Sequence, residues 1–160
     1  VIGKGLGGGV FPLAALLARE ELNLAADKAL GHYTHEKSPV ACAAALAAIE
    51  VIEEEGLLQN ASRIGEFALE RLGALEKKHS LVGDVRGLGL LIGVELVRDR
   101  QTRERACKEA ELVMYEALAR GLSFKLTMGN ILTLTPALTI TEEEMADAIG
   151  IIDECLGLAC

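Results

Sequence analysis

From Leu57 to the C-terminus the spacing of apolar residues alternates between that of helices and that of strands, and this order limits the fold more than any other feature of the chain. Ile64, Phe67, Ala68, Leu72 and Leu75 recur at steps of three and four among charges, which predicts an amphipathic helix. The turn-rich Val82-Gly83-Asp84-Val85-Arg86-Gly87 then leads into a dense apolar run over 88–97, read as a strand. Residues 101–120 carry Ala106, Ala110, Val113, Met114, Ala117 and Leu118 on one side, a second helix that Gly121 ends. Residues 122–126 and 131–135 are strand-like and flank a turn at Met128-Gly129-Asn130. Thr141 followed by Glu144 predicts a capping box at the head of a last helix, whose apolar stripe is Met145, Ala148, Ile149, Ile152 and Leu156. Helix, strand, helix, two strands and helix describe an α/β sandwich, with helices over one face of a small, largely antiparallel sheet.

Upstream the signals differ. An apolar run over 10–18 follows Gly7-Gly8-Gly9 and suggests a buried strand, with a helix left open by periodicity alone. Ser38 as N-cap, Pro39 as the first helical residue and Gly56 as the stop bound an Ala-rich helix. The chain is therefore read as two parts, 1–56 and 57–160. Val1-Ile2-Gly3-Lys4 runs straight into a glycine cluster, which reads as the middle of a larger protein.

Half of the chain is hydrophobic, yet aromatics make up 3% and Trp is absent, so the core is built from Leu, Ile, Val and Ala. A net charge of -8 with no Lys/Arg cluster repels phosphate backbones and anionic lipid, which argues against nucleic acid and membrane partners. Cys42, Cys107, Cys155 and Cys160 are scattered, without paired metal-ligand spacing. Cys42, inside the Ala-rich run, reads as a buried free thiol, and the cytoplasm is the expected compartment.

Lys4, between Gly3 and Gly5, is the residue whose setting points to chemistry. Glycine neighbours leave room for a bulky planar ligand, and an ε-amine becomes a Schiff-base nucleophile where its surroundings favour the neutral form. The plainer alternative is a solvated lysine in a terminal loop. Four segments decide between them. Gly3-Lys4-Gly5-Leu6-Gly7-Gly8-Gly9-Val10-Phe11-Pro12-Leu13-Ala14-Ala15 resembles the lysine segment of class III aminotransferases. Tyr33-Thr34-His35-Glu36-Lys37-Ser38-Pro39, with the Ala-rich helix behind it, is similar to the family's Thr-x-x-x-(Asn/Ser/Asp)-Pro motif. Gly83-Asp84-Val85-Arg86-Gly87-Leu88-Gly89 resembles its Val-Arg-Gly-x-Gly strand, and 132–139 resembles its last strand. The Tyr-Thr segment and the Gly-Asp-Val-Arg-Gly run are nearest to dialkylglycine decarboxylase and related racemases.

The resemblance implies a fold type I pyridoxal-phosphate enzyme: 1–56 as the end of the cofactor-binding large domain with its connecting helix, and 57–160 as the small C-terminal domain. It implies that Lys4 carries pyridoxal 5'-phosphate and shuttles a proton. Thr34 is then the hydroxyl that binds the phosphate of the neighbouring subunit, so a homodimer is expected. Aminotransfer between an amino donor and a keto acceptor is the leading activity, with racemisation, decarboxylation or elimination as alternatives. The family's phosphate-binding turn, stacking aromatic and ring-nitrogen aspartate precede the lysine and lie outside this chain, so a non-catalytic folding or dimerisation module is an alternative reading for the chain alone. Arg86 is a structural residue, Asp84 and Glu95 are turn and sheet residues, His32 and His35 are solvated loop residues, and His79 is a helix-end cation. Where the family carries an arginine that clamps the substrate carboxylate, this chain has Thr133, which puts a plain α-amino acid substrate in doubt.

Overall fold

The computed structural model describes every residue except Ala26, Ala29, Leu30, His32, Tyr33, His35 and Cys160. The chain divides into two compact units, Val1–Leu57 and Leu58–Cys160.

In the first unit a 3-10 turn, Lys4–Gly7, is followed by Gly8 and Gly9 at φ 66° and 75°, left-handed values that glycine adopts without strain. The turn packs against helix α1, Pro39–Glu54, where a Cβ on Gly8 would stand 3.5 Å from that of Ala48. Helix α1 begins at Pro39 as expected, but the Ser38 side chain makes no capping bond; the Ser38 carbonyl instead accepts from Cys42 N at 3.0 Å. Only Ala41 and Ala45 of α1 are buried, so Cys42 is an exposed free thiol rather than a buried one. The strand expected over 10–18 does not form. A strand needs a continuous partner, and here the pairing is one antiparallel bridge, Ile2 with Ala15, joined by two backbone hydrogen bonds of 2.8 Å.

The second unit is the expected sandwich. Helix α2 (Leu57–Lys78) leads to a hairpin of β1 (Val82–Leu88) and β2 (Leu91–Asp99). A two-residue β3 (Glu104–Arg105), helix α3 (Cys107–Ala119), strands β4 (Lys125–Thr127) and β5 (Ile131–Leu134), and helix α4 (Glu142–Leu158) follow. The sheet order is β1-β2-β5-β4, with β3 on β2 and every pair antiparallel. One face of the sheet supplies Ile92, Val94, Leu96, Leu132 and Leu134 to an aliphatic core. Helices α2, α3 and α4 close it with Ile64, Leu72, Val113, Met145 and Ile152. The Thr141 hydroxyl accepts from Glu144 N at 3.2 Å while the Glu144 carboxylate accepts from Thr141 N at 2.8 Å, so the capping box is present.

Two local readings change. The glycines of 82–88 belong to a strand and not to a turn, because each sits where another residue comes close. A Cβ on Gly83 would stand 2.5 Å from Val97 Cγ2, and one on Gly87 would stand 2.6 Å from the Leu91 carbonyl oxygen. Residues 101–106 are not helical. Asp99 Oδ1 accepts from Gln101 N at 2.8 Å and Thr102 N at 2.7 Å, and that turn delays the helix to Cys107.

Candidate functional site

Lys4 is the only non-glycine of its turn at a left-handed φ, 53°. Such a backbone costs about 1–2 kcal/mol and persists where the surroundings hold it, often at functional sites. Here the turn is held by Leu6 N on the Gly3 carbonyl (3.3 Å), Gly8 N on that of Gly5 (2.9 Å), and Val10 and Phe11 N on that of Gly7 (both 3.2 Å). The Lys4 side chain is exposed and lines an open depression of about 650 Å³, whose other wall is the chain from Gly9 to Ala14. A Cβ on Gly5 or on Gly9 would meet nothing within 4 Å. The chemistry of this set fits pyridoxal phosphate: a primary amine able to condense with an aldehyde, bordered by space that a flat ring can enter. Among the described residues no cluster of His, Cys, Asp or Glu is placed to hold a metal.

Thr34 is an exposed turn residue of the same unit. Its neighbours His32, Tyr33 and His35, two of them read above as solvated, lie outside the described residues.

In the second unit Arg86 lies on β1, and its guanidinium donates to Asp84 and, at 2.8 Å, to Glu95. Those hydrogen bonds, Asp84 first, raise the guanidinium above its ordinary range. The structural reading of Arg86, Asp84 and Glu95 holds, with β1 as a strand in place of a turn. Thr133 on β5 forms a hydroxyl pair of 2.7 Å with Thr127 on β4. Lys125, which the sequence alone does not single out, stands directly opposite Thr133 in the β4–β5 register. A lone polar residue on a three-residue strand carries no signal until the register is known.

Comparison with known proteins places this geometry. The family model for class III aminotransferases matches residues 1–156, and the chain belongs to that family. The family depends on pyridoxal phosphate. The chain is 47% identical over 159 residues to the (R)-1-hydroxy-2-aminoethylphosphonate ammonia-lyase of Vibrio splendidus (strain 12B01), covering 99% of this chain and 33% of that protein. It is 42% identical to the leucine/methionine racemase of Thermococcus litoralis, over 97% of this chain and 35% of that one. The crystal structure of an amine transaminase from an uncultivated Pseudomonas species in its PLP-bound form matches 99% of this chain and 38% of its own, with a TM-score of 0.91 and 31% identity. The fold is thus that of the fold type I transaminases, and the chain spans about a third of the length of the relatives it matches.

Proposed function

We propose that this chain supplies the cofactor-bearing lysine and the small domain of a cytoplasmic, homodimeric pyridoxal-phosphate enzyme that moves an amino group from an amino donor to a keto acceptor. The observation that carries the proposal is Lys4: an exposed amine on a strained, glycine-bordered turn beside a depression with room for a flat ring. Pyridoxal phosphate, when bound, supplies an electron sink for bonds at the substrate α-carbon. The chain's own part is simpler. Lys4 Nζ would hold the cofactor covalently and, as a free amine, would move a proton on and off the substrate α-carbon. The Thr34 hydroxyl would donate to a phosphate oxygen of the cofactor in the second subunit, and this is the reason for expecting a dimer.

A second reading, elimination of ammonia from an amino compound, is favoured by a specific observation. The 47% identical relative is a lyase acting on a hydroxylated aminoethylphosphonate. Thr133, a neutral residue, also lacks the guanidinium fork suited to an α-carboxylate. Incubating the full-length protein with amino compounds, with and without pyruvate, separates the two. Transamination consumes the keto acceptor and releases no free ammonia; elimination releases ammonia without an acceptor. Exchange of the α-proton with neither product would contradict both and favour a racemase.

A further inference from the structure

The face of the sheet turned away from the core is organised in rows that the register makes explicit. Arg86 pairs with Gly93, Gly93 with Thr133, and Thr133 with Lys125, so one row crosses all four strands from β1 to β4. The neighbouring row runs Asp84, Glu95, Ile131 and Thr127. The two rows differ in charge along their length. At the β1 side Arg86 holds both carboxylates, Asp84 and Glu95, so three charges are locked together there. At the β4 side Lys125 is exposed and has no ion-pair partner among the described residues, and its neighbours on the face are two hydroxyls.

Those hydroxyls are arranged to leave a donor free. With Thr127 Oγ1 and Thr133 Oγ1 2.7 Å apart, one O–H donates to the other oxygen. The accepting hydroxyl keeps its own proton for a third group. Beside Thr133 the row carries no polar side chain, because Gly93 has none and the Ile131 Cγ2 methyl leans over it, 3.3 Å from where a Cβ would stand. An ammonium point charge and a free hydroxyl proton suit a compact, three-dimensional anion. A planar carboxylate is better matched by the two-pronged fork of an arginine, which this part of the face lacks.

We propose that Lys125, Thr127 and Thr133 form an oxyanion site on the outer face of the sheet, selective for the tetrahedral group of an organophosphonate or phosphate monoester. Lys125 supplies the charge, the Thr127–Thr133 pair supplies the directed donor, and Arg86 offsets one of the two carboxylates at the β1 side of the face. That the anion belongs to an amino substrate rests on the enzyme reading above; that the sheet binds it does not.

The test is an amide-resolved NMR titration of the 160-residue chain, free of cofactor, with methylphosphonate, 2-aminoethylphosphonate and acetate. Both phosphonates should shift the amides of Lys125, Thr127 and Thr133, and acetate should bind at least about tenfold more weakly, the worth of one hydrogen bond to a charged group. Lys125→Met and Thr133→Val should each weaken methylphosphonate by about tenfold or more, Thr133→Ser should retain it, and Lys77→Met, an equal charge change on an exposed helix position, should leave it unchanged. Equal binding of acetate, shifts confined to other strands, or equal losses in Lys77→Met and Lys125→Met would overturn the site. If methylphosphonate binds as described but pyridoxal phosphate never attaches to Lys4, the sheet site stands and the enzyme reading fails. The reverse pair of results removes the site and leaves the enzyme.

Discussion

Nε2 of His79, the residue after α2, lies 2.6 Å from Oδ1 of Asp153 on α4, and the histidine is buried to 7% exposure. A carboxylate only accepts, so the Nε2 proton is on the histidine. Lys78 Nζ takes the other oxygen of Asp153 at 2.6 Å, and the Arg100 guanidinium donates to the His79 carbonyl at 2.9 Å. The end of α2 is thereby tied to α4 and to the chain after β2.

Asp153→Ala should lower the unfolding free energy of the chain by about 1–3 kcal/mol, because the buried His79 N–H loses its acceptor. The His79 hydrogen bond first, and then that of Lys78, hold the Asp153 carboxyl below the usual aspartate range. A depressed native carboxyl contributes stability above the unfolded value and loses it as the pH falls through the native one. Urea unfolding of the native chain and of Asp153→Asn should therefore differ at neutral pH and converge in acid. A difference that stayed constant into acid would show that the pair contributes nothing through charge.

Two glycines of α2 should respond to alanine with opposite sign. A Cβ on Gly65 would lie 2.3 Å from the Gly89 carbonyl oxygen, at the β1–β2 turn, whereas one on Gly73 would meet nothing within 4 Å. Alanine is favoured over glycine in a helix by about 0.8–1 kcal/mol, but forcing a backbone apart costs about 1–3. Gly73→Ala should raise the melting temperature and Gly65→Ala should lower it. A stabilising Gly65→Ala would mean that the hairpin tip does not sit against α2.

Installing an arginine in the 133 position tests substrate choice in the full-length protein. Thr133→Arg should shift kcat/KM toward donors with an α-carboxylate, such as alanine or glutamate, by about tenfold or more relative to the native substrate. The reading fails if the unaltered protein already prefers α-amino acids strongly over their decarboxylated amines.

The dimer expectation turns on Thr34. Thr34→Ala in the full-length protein should weaken retention of pyridoxal phosphate by about 1–3 kcal/mol, the cost of removing a donor from a bound phosphate oxygen. A fully active monomer in sedimentation would remove the shared-phosphate role.

The helices of the second unit and the Thr141–Glu144 box were legible in the sequence because each is set by spacing within a few residues. What was not legible depends on partners far along the chain. His79 reads as a helix-end cation until Asp153, 74 positions away, is brought against it and the ring is found buried. Gly83 and Gly87 read as a turn because close approach and left-handed backbone use the same residue, and only the register separates them. The run over 10–18 is apolar enough for a strand, but an apolar pattern does not supply the strand it must pair with. Of the candidate residues, Lys4 is proposed from its glycines and its family pattern, both local in sequence, whereas Lys125 draws notice only when the β4–β5 register sets it opposite Thr133.

The most direct measurement is the position of the cofactor on the chain. Full-length protein loaded with pyridoxal phosphate, reduced with borohydride, digested and mapped by mass spectrometry should carry the pyridoxyl group on Lys4, and Lys4→Ala should carry none. A pyridoxyl group on any other lysine, or an unchanged adduct in Lys4→Ala, would contradict the assignment.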